Sequence, residues 1–600
     1  MKESIEAMPS SSISSATTSQ SLASTGFFIQ EPLIVGQGTA FATLEKLLID
    51  SQFSCIGVVG KGGSGKTLLL KRIFSSERVR NVFSDGLLLW LTVSQCPSYK
   101  SLGNELCQQI ASQTNVHDLE HNMNAEGVKI WMNHSMQAKK FALFLDDVWG
   151  EGAKLLEELC IPLLTDHSTS KVIVSSRNHR ALLEMGVNAA ERSTIKMEDL
   201  MEDDSWALFA HHAFPYSNRN PPASIEERRA RVVCAKCGGL PLAIKVVARS
   251  MAGITDPKEW EFAIGRQPNG DSQDIREALY DPLRWSYDAL GRYDVNLQLC
   301  FLYLSAFFED QIIWIEQPIG LFIGEGLVAR KNVQDEHSYD PFEVGKIYIN
   351  LLADRCLIEP TLRDVDGSVL YFRVHDVMRD LAIQIAEQEE NFYCRAGKGL
   401  AALTEDECSG RSHVFLDYNK LTLLPESLRA PEMSSLTLAG NANLREIPRK
   451  LIRSMVSLKV LILNGTSVRS LPESVGCLKQ LVYLALVGVP IARLPASLTD
   501  LVSLEVLLLS GSKITELPLD IHRLRSLRVL ALQGCEDLQS LPWSMSLLTS
   551  LQDLLLDGCK RVWTKRGQRS RPQTVASIDD LRTLTQLKTL CLDNNGEFIR

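Results

Sequence analysis

Cys55-Ile-Gly-Val-Val59 runs directly into Gly60-Lys-Gly-Gly-Ser-Gly-Lys66-Thr67, and this junction decides the fold of the first half of the chain. The first five residues are an apolar, β-branched run with the length of a buried parallel strand. The next eight fit GxxxxGK[ST] at every position. Gly60, Gly62, Gly63 and Gly65 let the backbone curl, so that its N–H groups, that of Ser64 among them, can turn inward around phosphate oxygens. A helix expected over Leu68–Phe74 adds its positive N-terminal end. Lys66 is placed to reach the β- and γ-phosphates, and the Thr67 hydroxyl to ligate Mg²⁺. An apolar strand before and a helix after are the context this motif requires, which argues against a glycine-rich turn with no ligand.

Working outward, Leu87–Val93, Phe141–Leu145 and Lys171–Ser175 are further buried-strand runs separated by helical stretches, and Leu44–Ile49 reads as a helix. That alternation predicts a doubly wound α/β domain. Phe141–Leu145 ends in Asp146-Asp147. A parallel strand there delivers its carboxylates to the phosphate loop, so Asp146 is expected to hold Mg²⁺ and Asp147 to orient or deprotonate a hydrolytic water. The competing reading is an Asp pair that caps the strand. Val172–Ser176 ends in Arg177, a candidate sensor of a γ-phosphate; a surface salt bridge is the alternative.

From about Glu198 the strands stop, and 198–270 and 275–355 look helical. Cys356–Pro360 and Val369–Val374 flank Asp364-Val-Asp-Gly367 as strand, turn and strand of a small wing, and a helix follows from Asp376. Without a basic cluster this region does not read as nucleic-acid binding. The last third is periodic. LxxLxL blocks begin at Leu458, Leu481, Leu504, Leu527 and Leu551, spaced by 23, 23, 23 and 24, each followed by a glycine, with weaker units at Leu436–Leu438 and Leu587–Leu592. This is a leucine-rich repeat solenoid.

Composition sets the limits. The 600 residues are 45% hydrophobic and 22% charged, an ordinary globular mix too long for one core. No run approaches the ~18 apolar residues of a membrane span, and Met1-Lys2-Glu3 opens no signal peptide. The expected location is therefore the cytoplasm, with the nucleus as the alternative. Residues 9–25 hold 11 Ser/Thr in 17 positions and read as disordered. The 14 cysteines are scattered, and Cys234-Ala-Lys-Cys237 lacks the second pair of a zinc site, so reduced, partly buried thiols are expected. Net charge is −9, but residues 411–600 carry 24 Lys and Arg against 17 Asp and Glu, leaving −16 on the rest. Six Lys/Arg and no acid in 560–571 predict a loop that docks the repeats on the acidic half.

The ordered series of motifs resembles the NB-ARC module of plant disease-resistance proteins, the non-TIR intracellular NLR receptors. Beyond the phosphate loop it includes Asp85–Gln95, Leu143–Trp149 (LFLDDVW), Lys171–Arg177, Ser205–Phe209, Cys237–Ala243 (CGGLPLA), Cys300–Asp310 and Val374–Val377 (VHDV). The resemblance covers about 28–387, and the repeats extend it to Arg600. It implies a switch of innate immunity in which ADP holds a closed monomer and ATP opens it for oligomerisation, at most a slow ATPase. Pro241, in Gly239-Leu-Pro-Leu242, is implied near the adenine and sugar. His375, with Asp376 beside it, is implied at the ADP phosphate; on the residues alone it is an ordinary strand-end histidine. The implied ligands are ADP or ATP with Mg²⁺. The implied partners are a pathogen effector or guarded host protein at the repeats, and further copies of the chain once activated. Val374 replaces the usual methionine, Ser175-Ser176 the usual Thr-Thr, and Gly36-Gln37 the usual Gly-Arg. The short leader stands where the family carries a signalling domain, so a truncated gene model, a fragment, or an adaptor or decoy acting by protein–protein contact is an alternative. A multiple-turnover ATPase is another.

The fold expected is thus multidomain α/β. It comprises a leader over 1–27, a P-loop NTPase domain over 28–197, a helical domain over 198–272, a winged-helix domain over 273–395, and repeats over 410–600, incomplete at the C-terminal end. Alternate positions of each repeat strand face the concave surface. Ten of these fifteen, Val460, Ile462, Tyr483 and Val506 among them, are apolar. The stripe is expected to be covered by the chain's own nucleotide module or by a partner; selection for β-propensity alone is the alternative.

Overall fold

The apolar runs form a five-stranded, wholly parallel sheet in the computed structural model, which describes residues 33–50, 53–93, 99–114, 125–150, 152–162, 169–187, 193–265, 275–292, 294–307, 311–328, 340–389, 391–562 and 581–591. The strands are β1 (Cys55–Val59), β2 (Leu87–Thr92), β3 (Phe141–Asp146), β4 (Lys171–Ser176) and β5 (Thr194–Lys196), in the order β2-β3-β4-β1-β5. Every residue of β3 and β4 is buried, as befits strands covered on both faces. β4 lies between β3 and the phosphate-loop strand β1, and all three run parallel, so the end of β3 comes to the loop side of the sheet as expected. The short edge strand β5, three residues long, offers too little sequence to show a period.

Helices Glu202–Ala213, Glu227–Ala235, Pro241–Met251 and Pro257–Gly265 form the next layer. They close on Trp260, which is fully buried and stacks on Phe214 with ring centroids 5.9 Å apart. Gly238 and Gly239 take positive φ, and Pro241 starts the third helix at a position that needs no N–H. The winged unit follows with Val295–Tyr303, Glu316–Glu325 and Pro341–Asp354. Strands Glu359–Arg363 and Val369–Arg373 pair antiparallel as the expected wing, and Ile313–Trp314 adds a third strand. Helix Asp376–Gln388 then starts at His375.

The solenoid is a nine-stranded parallel sheet that starts at Phe392–Cys394, ahead of the first repeat visible in the leucine spacing, and runs to Thr589–Cys591. Gly465, Gly488, Gly511, Gly534 and Gly558 all turn the chain at positive φ, which fixes glycine at that repeat position. The position immediately after that turn is filled by small buried donors. Asn419 and Asn441 each donate to a strand carbonyl at 2.9 Å, and the Cys535 and Cys559 thiols donate to Leu509 and Leu532 of the preceding repeat. Those cysteines are thus repeat-packing residues with free thiols.

The concave stripe is covered by the chain's own module, and its winged unit is the part that covers it. Val460, Ile462, Tyr483, Ala485 and Val506 join the core of the helical and winged layers. Helix Glu316–Glu325 lies on them with Gly320 against the Tyr483 ring and Gly324 against Val460. At one end Glu325 accepts hydrogen bonds from Ser434 and Ser435, with Lys459 3.9 Å away. At the other, Asp340 pairs with Lys588 at 2.7 Å and Arg528 at 3.3 Å. Acids of the winged unit thus face bases of the repeats at both ends of this seam. Lys560 and Arg561, at the start of the basic insertion, pair within the repeats with Glu536 and Asp537. The rest of that insertion and the Ser/Thr-rich leader lie outside the described residues.

Candidate nucleotide site

The phosphate loop closes at Gly63 (φ 73°) and Gly65 (φ 91°), conformations that side chains rarely adopt, and helix Lys66–Phe74 begins at once. Its glycines also answer to crowding from other layers. A Cβ on Gly62 would stand 2.7 Å from Val377 of the winged unit, and one on Gly63 2.7 Å from Leu242 of the helical layer. One on Gly60 would stand 2.7 Å from Met197, just past β5. The Leu242 N–H donates to Gly63 O at 3.3 Å, one residue beyond Pro241. Gln37 donates to Gly65 O at 3.0 Å and accepts from Arg72 at 3.3 Å. The residue standing for the family's arginine thus buttresses the loop.

Lys66 donates to Gly60 O and Lys61 O, both at 2.9 Å. Burial first, then the Arg177 charge, pulls its pKa down to about 8, against the pull of Asp147 and Asp146. Ser64 Oγ is buried with no hydrogen-bond partner among the described residues. Although one strand removed from β1, Asp146 still reaches the loop. Its carboxylate accepts from Thr67 and from Ser175 Oγ, the latter at 2.5 Å. Burial raises the Asp146 pKa, and these two hydroxyls oppose the rise. Ser175 also accepts the Asp147 N–H at 2.9 Å, and Ser176 donates to Val148 O. Both serines thus use the hydroxyls they share with the threonines of the family pattern. Thr67 and Asp146 form an all-oxygen pair suited to Mg²⁺.

Asp147 sits at φ 56°, an unusual conformation for a non-glycine residue beside a functional loop. Its Oδ2 accepts from Trp149 Nε1 at 2.9 Å, and its Oδ1 lies 3.7 Å from Arg177 Nε. The Arg177 guanidinium lies over the Trp149 ring at 4.5 Å and meets the carboxylate of Asp376. That ion pair joins the end of β4 to the winged unit, with side chains only 20% and 12% exposed. His375 Nδ1 faces both the Val377 N–H at 3.3 Å and the Asp376 carboxylate, which itself accepts that N–H at 2.6 Å. Burial pulls its pKa down to about 3, opposed by Glu359 and reinforced by Arg177, Lys66 and Lys245. It is held neutral although 34% of its side chain is accessible.

The loop, Thr67, Asp146, Asp147, Arg177 and Asp376 are thus brought together, with Pro241 and His375 at its helical and winged neighbours. Sequence reasoning missed Trp149, Val377 and Glu359. The first two lie inside quoted motifs, but their contacts depend on how the layers pack.

Three family descriptions match this chain: NB-ARC domain over 38–219, Disease resistance protein Winged helix domain over 306–382, and Leucine-rich repeat region over 481–599. The chain belongs to the plant NB-ARC leucine-rich-repeat disease-resistance family. The nucleotide-binding role of the NB-ARC module accounts for the phosphate loop and its buried carboxylate. Among curated proteins of Arabidopsis thaliana, probable disease resistance protein At4g27220 is 32% identical over 463 residues, covering 75% of this chain and 47% of its own length. Disease resistance protein UNI is 28% identical over 484 residues, covering 75% and 52%. This NB-ARC leucine-rich-repeat chain therefore spans about half the length of the curated relatives it matches. A solved STAND protein with a tetratricopeptide repeat sensor, from Pyrococcus horikoshii, is 15% identical with a TM-score of 0.37, over 60% of this chain and 44% of that one. A leucine-rich repeat protein of Leptospira interrogans is 24% identical with a TM-score of 0.27, over 32% and 53%. Among the described residues no helix is long and apolar enough to cross a membrane.

Proposed function

We propose that the chain is an ADP/ATP-gated switch of plant innate immunity, with the described arrangement as its closed state. The observation that carries the reading is the Arg177–Asp376 ion pair beside the phosphate loop, reinforced by Val377 against Gly62. In the diphosphate state Lys66 and the loop N–H groups hold the phosphates, and the neutral His375 offers a ring N–H to the β-phosphate. Thr67 and Asp146 are the residues that would hold Mg²⁺, which when bound neutralises phosphate charge. A γ-phosphate asks for Arg177 and so competes with Asp376. That is a differential contact of the kind a ligand needs to shift a population. Asp147, engaged by Trp149 and Arg177, is poised to orient water only once that pair opens, which suits slow hydrolysis. The repeats, seated on helix Glu316–Glu325, keep the winged unit in place until a pathogen effector or guarded host protein engages them. The freed chain then associates with further copies in the cytoplasm.

Mass spectrometry of the copurifying nucleotide, paired with turnover assays, tests this. The expected result is near-stoichiometric ADP with slow hydrolysis, and loss of nucleotide in Lys66→Ala. Steady multiple turnover with no retained ADP points to an ordinary ATPase and overturns the switch.

A further inference from the structure

The loop after β3 brings an aromatic side chain into the contact between Asp147 and Arg177. Two ties to β4 fix that loop. The Val148 N–H donates to Ser175 O at 2.9 Å, and Ser176 Oγ donates to Val148 O. Ser176 Oγ also accepts the Asn178 N–H at 3.0 Å, so the residues on either side of Arg177 are tied to the same point. Trp149 and Arg177 therefore leave one rigid junction. Trp149 meets its neighbours in two ways. Its Nε1–H donates to Asp147 Oδ2 at 2.9 Å, and its ring face lies 4.5 Å from the Arg177 guanidinium. The other carboxylate oxygen, Oδ1, stops 3.7 Å from Arg177 Nε, roughly 0.8 Å beyond an ordinary N–H···O separation. Arg177 Nε is buried and makes no hydrogen bond among the described residues. An aspartate and an arginine this near one another ordinarily close into a two-pronged pair that engages both oxygens. Here the indole already holds one of them.

Resting on the nucleotide-switch reading, we propose that Trp149 is a positioning residue that keeps Arg177 available to the nucleotide. It holds Asp147 by Oδ2 and supports the guanidinium on its ring, and so prevents Asp147 from capturing the arginine. Arg177 then stays free to exchange Asp376 for a γ-phosphate. The same hydrogen bond leaves Oδ1 as the open oxygen of Asp147, on the side that faces Arg177. The two parts of the indole have separable roles. The N–H restrains the acid, and the ring supports the cation. No covalent bond is made or broken, and the effect is on the binding of a triphosphate alone.

The test is a double-mutant cycle on the ATPγS dissociation constant of the full chain, with Trp149→Phe and Asp147→Asn. Phenylalanine keeps a ring beside Arg177 and loses the N–H. Asparagine tolerates the positive φ of this position and has no charge with which to capture the arginine. Trp149→Phe alone should weaken ATPγS by roughly tenfold, the scale of a hydrogen bond to a charged group, because Asp147 then closes on Arg177. In the Asp147→Asn background the same substitution should cost less than about twofold. Trp149→Leu removes the ring as well and should weaken ATPγS by about threefold or more in both backgrounds. Equal losses from Trp149→Phe in the two backgrounds would mean that Trp149 only packs, and would overturn its positioning role. No loss in either background would do the same. Both results leave the switch reading standing if wild type binds ADP and ATPγS. A wild type that binds neither nucleotide brings down the switch reading and this proposal with it.

Discussion

Gly320→Ala is the substitution whose effect separates docking from folding. A Cβ at Gly320 would stand 2.2 Å from Tyr483 Cε2 and 2.7 Å from Cζ, too close for any real side-chain contact. Tyr483 is fully buried by this packing, so its ring has no free space to move into. Overpacking of that kind costs about 1–3 kcal/mol, and only while the repeats are seated on the helix. The same substitution improves helix propensity by about 1 kcal/mol, but it does so equally in the seated and released forms and cancels from the docking equilibrium. Docking should therefore weaken by about 5- to 150-fold, the equivalent of 1–3 kcal/mol, while the winged unit itself becomes no less stable. Hydrogen exchange reads both effects. Amides of Glu316–Glu325 and of strand Tyr483–Ala485 should exchange faster, and small-angle scattering should report a larger chain. Tyr483→Ala removes the clashing ring, so the double substitution should be non-additive. If Gly320→Ala leaves seam exchange and particle size at wild-type values in a folded protein, helix Glu316–Glu325 does not hold the repeats.

Three further outcomes follow from the geometry. Ser175→Ala should lower stability by about 1–3 kcal/mol in thermal unfolding, because it orphans a buried carboxylate and the Asp147 N–H; Ser175→Thr should be near neutral, and equal melting of all three would remove Ser175 from the site. His375 has a closed-state pKa of about 3 against an ordinary 6.5, so the closed form binds fewer protons than the open one between those values. Its contribution is thus complete above pH 6.5 and is lost as pH falls toward 3. Protease sensitivity of the wing should rise on acidification and rise less in His375→Gln; identical profiles would exclude His375 as the cause. Asp340→Asn keeps the helix cap but removes the charge facing Lys588 and Arg528. These partly exposed pairs should contribute no more than about 1 kcal/mol to docking, and the deficit should vanish in high salt; a salt-independent deficit would point to packing instead.

The phosphate loop, the strand ends Asp146 and Arg177, and the repeats were legible because each is fixed locally. Positive φ demands glycine, full burial demands an apolar run, and a solenoid repeats its own interior. Strand order was not legible, since nothing in Phe141–Leu145 says that β4 will come between it and β1. Ser175 on that intervening strand bonds both Asp146 and the Asp147 N–H, and Thr67 ties Asp146 to the loop. Cover of the concave stripe by the chain's own module was expected, but which layer of that module supplies it was not readable. Gly320 and Gly324 look like defects in a helix until Tyr483 and Val460 fill the space they leave. Opposite charges of the two parts do meet across the seam, at Asp340 with Lys588 and Arg528 and at Glu325 with Lys459, but which side chains pair is set by the packing. The Arg177–Asp376 pair joins two recognised motifs, yet only the packing of the wing on the phosphate loop shows that they meet.

That pair is where the central claim is most directly tested, by the rate at which ADP leaves the full chain. Asp376→Asn removes one partner of a largely buried ion pair and leaves Arg177 with Asp147 at 3.7 Å. In a competitor chase with fluorescent ADP, release should accelerate by at least about tenfold relative to wild type. The chain should also become more open in scattering. An unchanged ADP release rate in a folded Asp376→Asn protein would mean that the winged unit does not hold the nucleotide in place.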